Sequence, residues 1–126
     1  MYLNAQRNVS WAGMAMFAML AGAIAFTPAS SQEPTPLTCD VGPVHKIYGA
    51  TEWLVYSCND QQTVVIVSAK GNPATPFYFV FYPKGNGYQL SGEGTGDKSA
   101  TSAAFEELRT LNAKDVSGLI EQTRSN

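Results

Sequence analysis

The stretch FYFVFY at 77–82 constrains the fold more than any other part of the chain. Every residue in it is aromatic or β-branched, a composition suited to a pleated strand. In a strand, Phe77, Phe79 and Phe81 point to one side while Tyr78, Val80 and Tyr82 point to the other. Both sides are apolar, so the strand belongs inside a sheet that needs a cover on each face.

Two further runs share this character, WLVYSC at 53–58 and TVVIVSA at 63–69, and both are bounded by turn formers. The links NDQQ and KGNPATP are short enough for antiparallel neighbours. A fourth strand, GYQLSGEG at 87–94, follows the hairpin-sized link PKGN. The segment DVGPVHKIYGATE mixes glycine, proline and short apolar pieces, and a short strand is expected around 44–48.

After the glycines the period changes. Ala104, Phe105, Leu108 and Leu111 recur at helical spacing and predict a helix over 98–111, capped by Asp97 or Ser99. A second start signal follows. Asn112 is placed as the cap with Asp115 three residues on, and Leu111 and Val116 are spaced for a hydrophobic staple. That helix carries Val116, Leu119 and Ile120 inward and ends near Thr123. Strands first and helices last predict an α+β domain, an antiparallel meander of about four strands with two C-terminal helices on one face.

The first thirty residues differ from the rest. Arg7 precedes the charge-free run WAGMAMFAMLAGAIAF at 11–26, and small residues follow in TPASSQ. The run is short for a bilayer span and predicts a secretory signal over 1–29, cut after Ala29 or Ser31, with a retained anchor as the alternative. No cysteine directly follows it, which argues against a lipid anchor. Residues 30–38 hold two prolines and no apolar period, predicting an extended linker, with the single domain at 39–126. Export leads to oxidising compartments, so Cys39 and Cys58 are expected to pair. Closing that loop of about 20 residues stabilises the fold by about 3 kcal/mol.

Charge narrows the partners. The whole chain has eight basic and ten acidic residues, and without Arg7 the exported part keeps seven basic against ten acidic, interspersed along the chain. Nucleic acid and anionic membrane surfaces both demand basic patches, so neither is an expected partner once the signal is removed.

No motif announces a reaction. SGEGTGDKSAT at 91–101 evokes a phosphate loop, but Asp97 stands between Gly96 and Lys98, where that motif requires Lys directly after Gly. The glycines are better read as a strand end that bends into a capped helix. His45 is the single histidine, without a recognisable nucleophile motif around it; a catalytic reading would join it to Glu52 or Asp97. With the cysteines paired, no metal-ligand set remains, and no cofactor motif is present. Glu93, with Glu52 and Asp97, lies near the strand region, and Glu106 and Glu107 read as a solvated helix flank. Trp53, Tyr56, Tyr78, Tyr82 and Tyr88 are the candidate partner-contact residues, because aromatics with a polar tip suit surfaces dry at one end and wet at the other.

At VYSCNDQQTVVIVS (55–68), with Tyr56, Cys58, Asn59 and Asp60 in matching places, the chain resembles the exported inhibitors of c-type lysozyme. The resemblance implies a shared disulfide-anchored hairpin. That family closes a β-barrel and inserts a Ser-Gly-x-x-Tyr loop into its target, whereas SGEGTGD lacks the tyrosine and helices follow it, so no inhibitory residue is carried over. As a whole the chain resembles short exported bacterial proteins of unassigned function. The expected role is non-enzymatic: a periplasmic or secreted accessory protein whose aromatic sheet face contacts another envelope protein or its own twin. The alternative is an inhibitor of an exported hydrolase, such as a lysozyme or protease, acting through loops 70–76 and 83–87.

Overall fold

A computed structural model describes residues 35–126. The expected signal over 1–29, and the first part of the linker, lie outside the described residues. The rest is α+β, a five-stranded antiparallel sheet followed by two helices. The strands are β1 (Val41–Tyr48), β2 (Thr51–Ser57), β3 (Val64–Ser68), β4 (Phe77–Lys84) and β5 (Gly87–Gly94), paired in sequence order. The helices are α1 (Lys98–Leu108) and α2 (Ala113–Arg124).

The segment expected to hold a short strand at 44–48 forms the whole of β1. Gly42 and Pro43 sit in a register shift between Val41 and Val44. Proline cannot donate to a ladder, and an edge strand with a bulge is where it is tolerated. The turn into β2 places Gly49 and Ala50 both at positive φ, 60° and 66°. That combination matches the twist of a tight hairpin.

All the inward positions follow one parity. Trp53 and Val55 of β2, Val64 and Ile66 of β3, and Phe79 and Phe81 of β4 are buried in one cluster with Ala100, Ala104 and Leu108 of α1 and Val116, Leu119 and Ile120 of α2. Both helices therefore cover the same sheet face. The α1 stripe is shifted from the one the sequence predicts. Ala100, Thr101, Ala104 and Leu108 are buried, while Phe105 is partly exposed and stacks on Phe79 with ring centroids 6.3 Å apart.

The glycines of 92–96 are explained by crowding. A Cβ on Gly92 would lie 2.8 Å from both the Phe77 and Phe79 rings, and one on Gly96 would lie 1.7 Å from the Ala74 carbonyl oxygen. Thr95 and Asp97 donate backbone hydrogen bonds to Pro76 and Pro73, which seats this stretch on the 72–77 loop. Asp97 then caps α1, accepting from the backbone N–H of Ser99 and Ala100. The Ser99 hydroxyl and these two amides hold its carboxyl below the usual range. The amides that could greet a phosphate are thus already taken by a carboxylate.

The start of α2 carries the predicted reciprocal cap. Asn112 accepts from the Asp115 N–H at 2.8 Å, and Asp115 accepts from the Asn112 N–H at 2.9 Å. Cys39 and Cys58 are bonded. Residues just ahead of the cysteine are held as well, because Asn59 accepts from Thr38 N–H and donates its side-chain amide to the Pro36 carbonyl. At the β2–β3 turn Asp60 accepts from Gln62 and Thr63. Partial burial pulls its carboxyl upward, but these hydrogen bonds outweigh it and leave it below the usual range.

Candidate contact surface on the outer sheet face

Reading the strand register gives the opposite parity its own surface. His45 lies beside Leu54, Leu54 beside Val67, Val67 beside Tyr78, and Tyr78 beside Glu93, one row across the five strands. A second row runs Tyr56, Val65, Val80, Ser91. Ile47 and Glu52 extend the face at the β1–β2 end, and Tyr82 with Gln89 extends it toward the β4–β5 turn. No described helix packs on these residues. Ile47 is 62% exposed, Tyr78 40% and Tyr82 47%.

Three of the five predicted contact aromatics, Tyr56, Tyr78 and Tyr82, share this face. The other two do not. Trp53 is fully buried on the helix side, its indole N–H donating to the Tyr48 carbonyl and the Thr51 hydroxyl, so neither its ring nor its polar tip is free. Tyr88 pairs with Pro83 and meets Phe81 edge to face at 6.3 Å, also on the helix side. Parity explains both. An aromatic in an amphipathic strand goes to whichever side its register dictates, whatever its polar tip.

A groove of about 600 Å³ opens at one end of the outer face. Val65, Val67, Pro76, Phe77 and Tyr78 supply an apolar wall. Two of its hydroxyls are engaged within the molecule: Ser68 accepts from the Phe77 N–H and Thr75 donates to the Ala69 carbonyl. Glu93 is the one charged lining residue, and it accepts from the Tyr78 hydroxyl at 3.3 Å. The Glu93 charge, helped by desolvation and by this bond, holds the Tyr78 phenol above its ordinary range.

The groove can therefore receive an apolar body with a cation beside it.

His45 and Glu52 do meet, Nδ1 to Oε2 at 2.6 Å, on the outer face near the β1 edge. Both side chains are well exposed, and among the described residues no hydroxyl nucleophile is hydrogen-bonded to the pair. Asp97 is engaged at the α1 cap. Among the described residues no group of three or more His, Cys, Asp or Glu is placed to hold a metal ion.

The two loops of the inhibitor alternative have different characters. The 70–76 loop is pinned to the body: Asn72 donates to the Glu52 carbonyl and accepts from Ala74 N–H, and Ala74 is buried in the core. Of 83–87, only Gly85 and Asn86 lie outside the strands, as an exposed hairpin tip.

Leu54, Val65, Val67 and Lys84 belong to the face without having been singled out from the sequence. The stretches WLVY and VVIV that contain the first three are apolar at successive positions, so alternation is hidden there and the anchoring of Trp53 in the core fixes which side each residue takes. Glu107 was also missed. It is no idle solvated residue, because its carboxylate accepts from the Gly49 N–H at 2.8 Å and ties α1 to the first hairpin.

No protein-family pattern, curated protein or solved structure matches this chain.

Proposed function

We propose that this protein works by binding, using its outer sheet face to contact another protein. The observation that carries the reading is the apolar patch of Leu54, Tyr56, Val65, Val67, Tyr78 and Tyr82, on which no described helix packs, while α1 and α2 share the other side. Monomers seldom leave a contiguous patch of this kind to water unless it has a use. Tyrosines at its margin suit an interface that is dry in the middle and wet at the rim. The Cys39–Cys58 bond fits an exported protein, and no described helix is long and apolar enough to cross a membrane. Export to the periplasm or beyond, with the 1–29 segment removed, is part of the proposal.

The test compares the native protein with two sets of variants in capture from envelope extract. Tyr78→Ser and Tyr82→Ser are expected to lower recovery of the partner about tenfold, in line with aromatic anchors at interfaces. Gly85→Ser with Asn86→Ser, at the hairpin tip, should leave recovery unchanged. The reverse pattern would replace this reading with insertion of the tip into a target, as an inhibitor of an exported hydrolase would do.

A further inference from the structure

The charges on the outer face are arranged by end. Lys84 and Tyr82 share the face with Tyr78, since alternate residues of β4 point the same way. Lys84 is exposed and, among the described residues, forms no ion pair. It lies six positions along from Tyr78, roughly 20 Å of strand. Glu93 stands at the far end, level with Tyr78, beside the groove. One end of the β4–β5 ribbon thus offers an aromatic ring followed by an ammonium, and the other offers an apolar groove followed by a carboxylate.

Each end is the complement of the other. We infer that the occupant of this face is a second copy of the chain, packed sheet to sheet about a two-fold axis that sets Tyr82 and Lys84 of each copy against the groove and Glu93 of the other. This rests on the outer face being a contact surface. An axis crossing β4 at Phe81 reverses the strand direction, so position 84 of one copy falls over position 78 of its twin and position 82 over position 80, beside Val65 of the groove wall. The same pair then forms twice, as a closed two-fold interface requires. Facing sheets pack about 10 Å apart, close enough for side chains of the two faces to interdigitate and for a lysine to reach across.

Area sets the expected strength. Five strands about 4.8 Å apart and roughly 20 Å long cover about 480 Å² per copy, less than the roughly 600 Å² per partner at which stable interfaces begin, so the dimer is weak and depends on concentration.

Sedimentation of the protein, in its natively processed form, from micromolar to millimolar concentration reads this directly. The native protein is expected to shift from monomer to dimer, with weaker association at higher salt. Lys84→Glu and Glu93→Lys should each weaken association by at least about tenfold, because like charges then meet twice. The doubly exchanged protein, Lys84→Glu with Glu93→Lys, should regain it. Both side chains are exposed, so the fold tolerates the exchange. A native protein that stays monomeric throughout, or a double exchange as weak as the single changes, overturns the twin. If the monomer nonetheless loses a captured partner on Tyr78→Ser, the contact-face reading survives with a different occupant. If dimers form and Tyr78→Ser with Tyr82→Ser leaves them intact, the dimer uses another surface and the twin is overturned, while the capture experiment decides the contact-face reading separately.

Discussion

Gly96 and Gly118 show how differently two glycines are used. A Cβ at Gly96 would fall 1.7 Å from the Ala74 carbonyl oxygen, so the backbone of one loop occupies the space any side chain would need. Gly118 lies inside α2 with nothing within 4 Å of its added Cβ. Gly96→Ala is therefore expected to destabilise the protein by about 3 kcal/mol or more, by forcing loop and strand end apart. Gly118→Ala should stabilise it by about 0.5–1 kcal/mol, by removing the entropy cost of glycine in a helix. Urea unfolding of the two variants checks both signs. Tyr48 offers a pH handle at the same scale. Burial first, and then the nearby Glu107 charge, push its phenol up to about 12. A free tyrosine ionises near pH 10, so the unfolded chain loses this proton first and stability falls as pH rises from about 10 to about 12. Tyr48→Phe should flatten that slope in alkaline unfolding curves, and unchanged steepness would show that other groups set it.

At the scale of elements, β2 and α2 are joined by a buried hydroxyl pair. Thr123 donates to the Ile120 carbonyl, which leaves the Ser57 hydroxyl as the donor in the 2.7 Å bond between them. Thr123→Val removes that acceptor and strands a buried donor, at an expected cost of about 1–3 kcal/mol. Adding Ser57→Ala should recover most of it, since replacing both partners leaves no orphan. Denaturation midpoints of the two singles and the double test the coupling. The elements themselves were largely visible in the chain. Asn112, Asp115 and Val116 announced the start of α2 because capping is decided within one turn. β5 began and ended where its turn formers placed it. β1 was underestimated because its glycine and proline read as loop, and only pairing with β2 shows that they form a bulge in an edge strand. Trp53 was misplaced as a contact residue because WLVY is apolar at successive positions, and sequence parity alone cannot say which half faces the helices.

Across the whole molecule, the covalent link and the sheet divide the work of stabilisation. The Cys39–Cys58 bond spans a sequence separation of 19 and fastens the entry of the chain to the end of β2. Reducing it is expected to lower stability by about 3 kcal/mol through the freedom restored to the unfolded chain, a shift readable as a lower urea midpoint in reductant. In a domain this small such a loss is a large fraction of the total. The bond says nothing about the outer face, however, because neither cysteine contributes to the row of Leu54, Val67 and Tyr78.

Local chemistry in the amino-acid order was enough to establish an antiparallel meander followed by two capped helices and a sulfur bridge. Strand composition, turn residues and helix caps each act over a few neighbours, and Tyr78 and Tyr82 had to share a side by strand geometry alone. What tertiary structure decided was the register between strands and the side on which the helices settle. Those choices sent Trp53 and Tyr88 inward, brought Leu54, Val65 and Val67 beside the tyrosines, and set Glu93 against a groove with Lys84 at the opposite end. They depend on contacts between residues far apart in the chain, where burial of one whole face, and not the preference of any single side chain, selects the outcome.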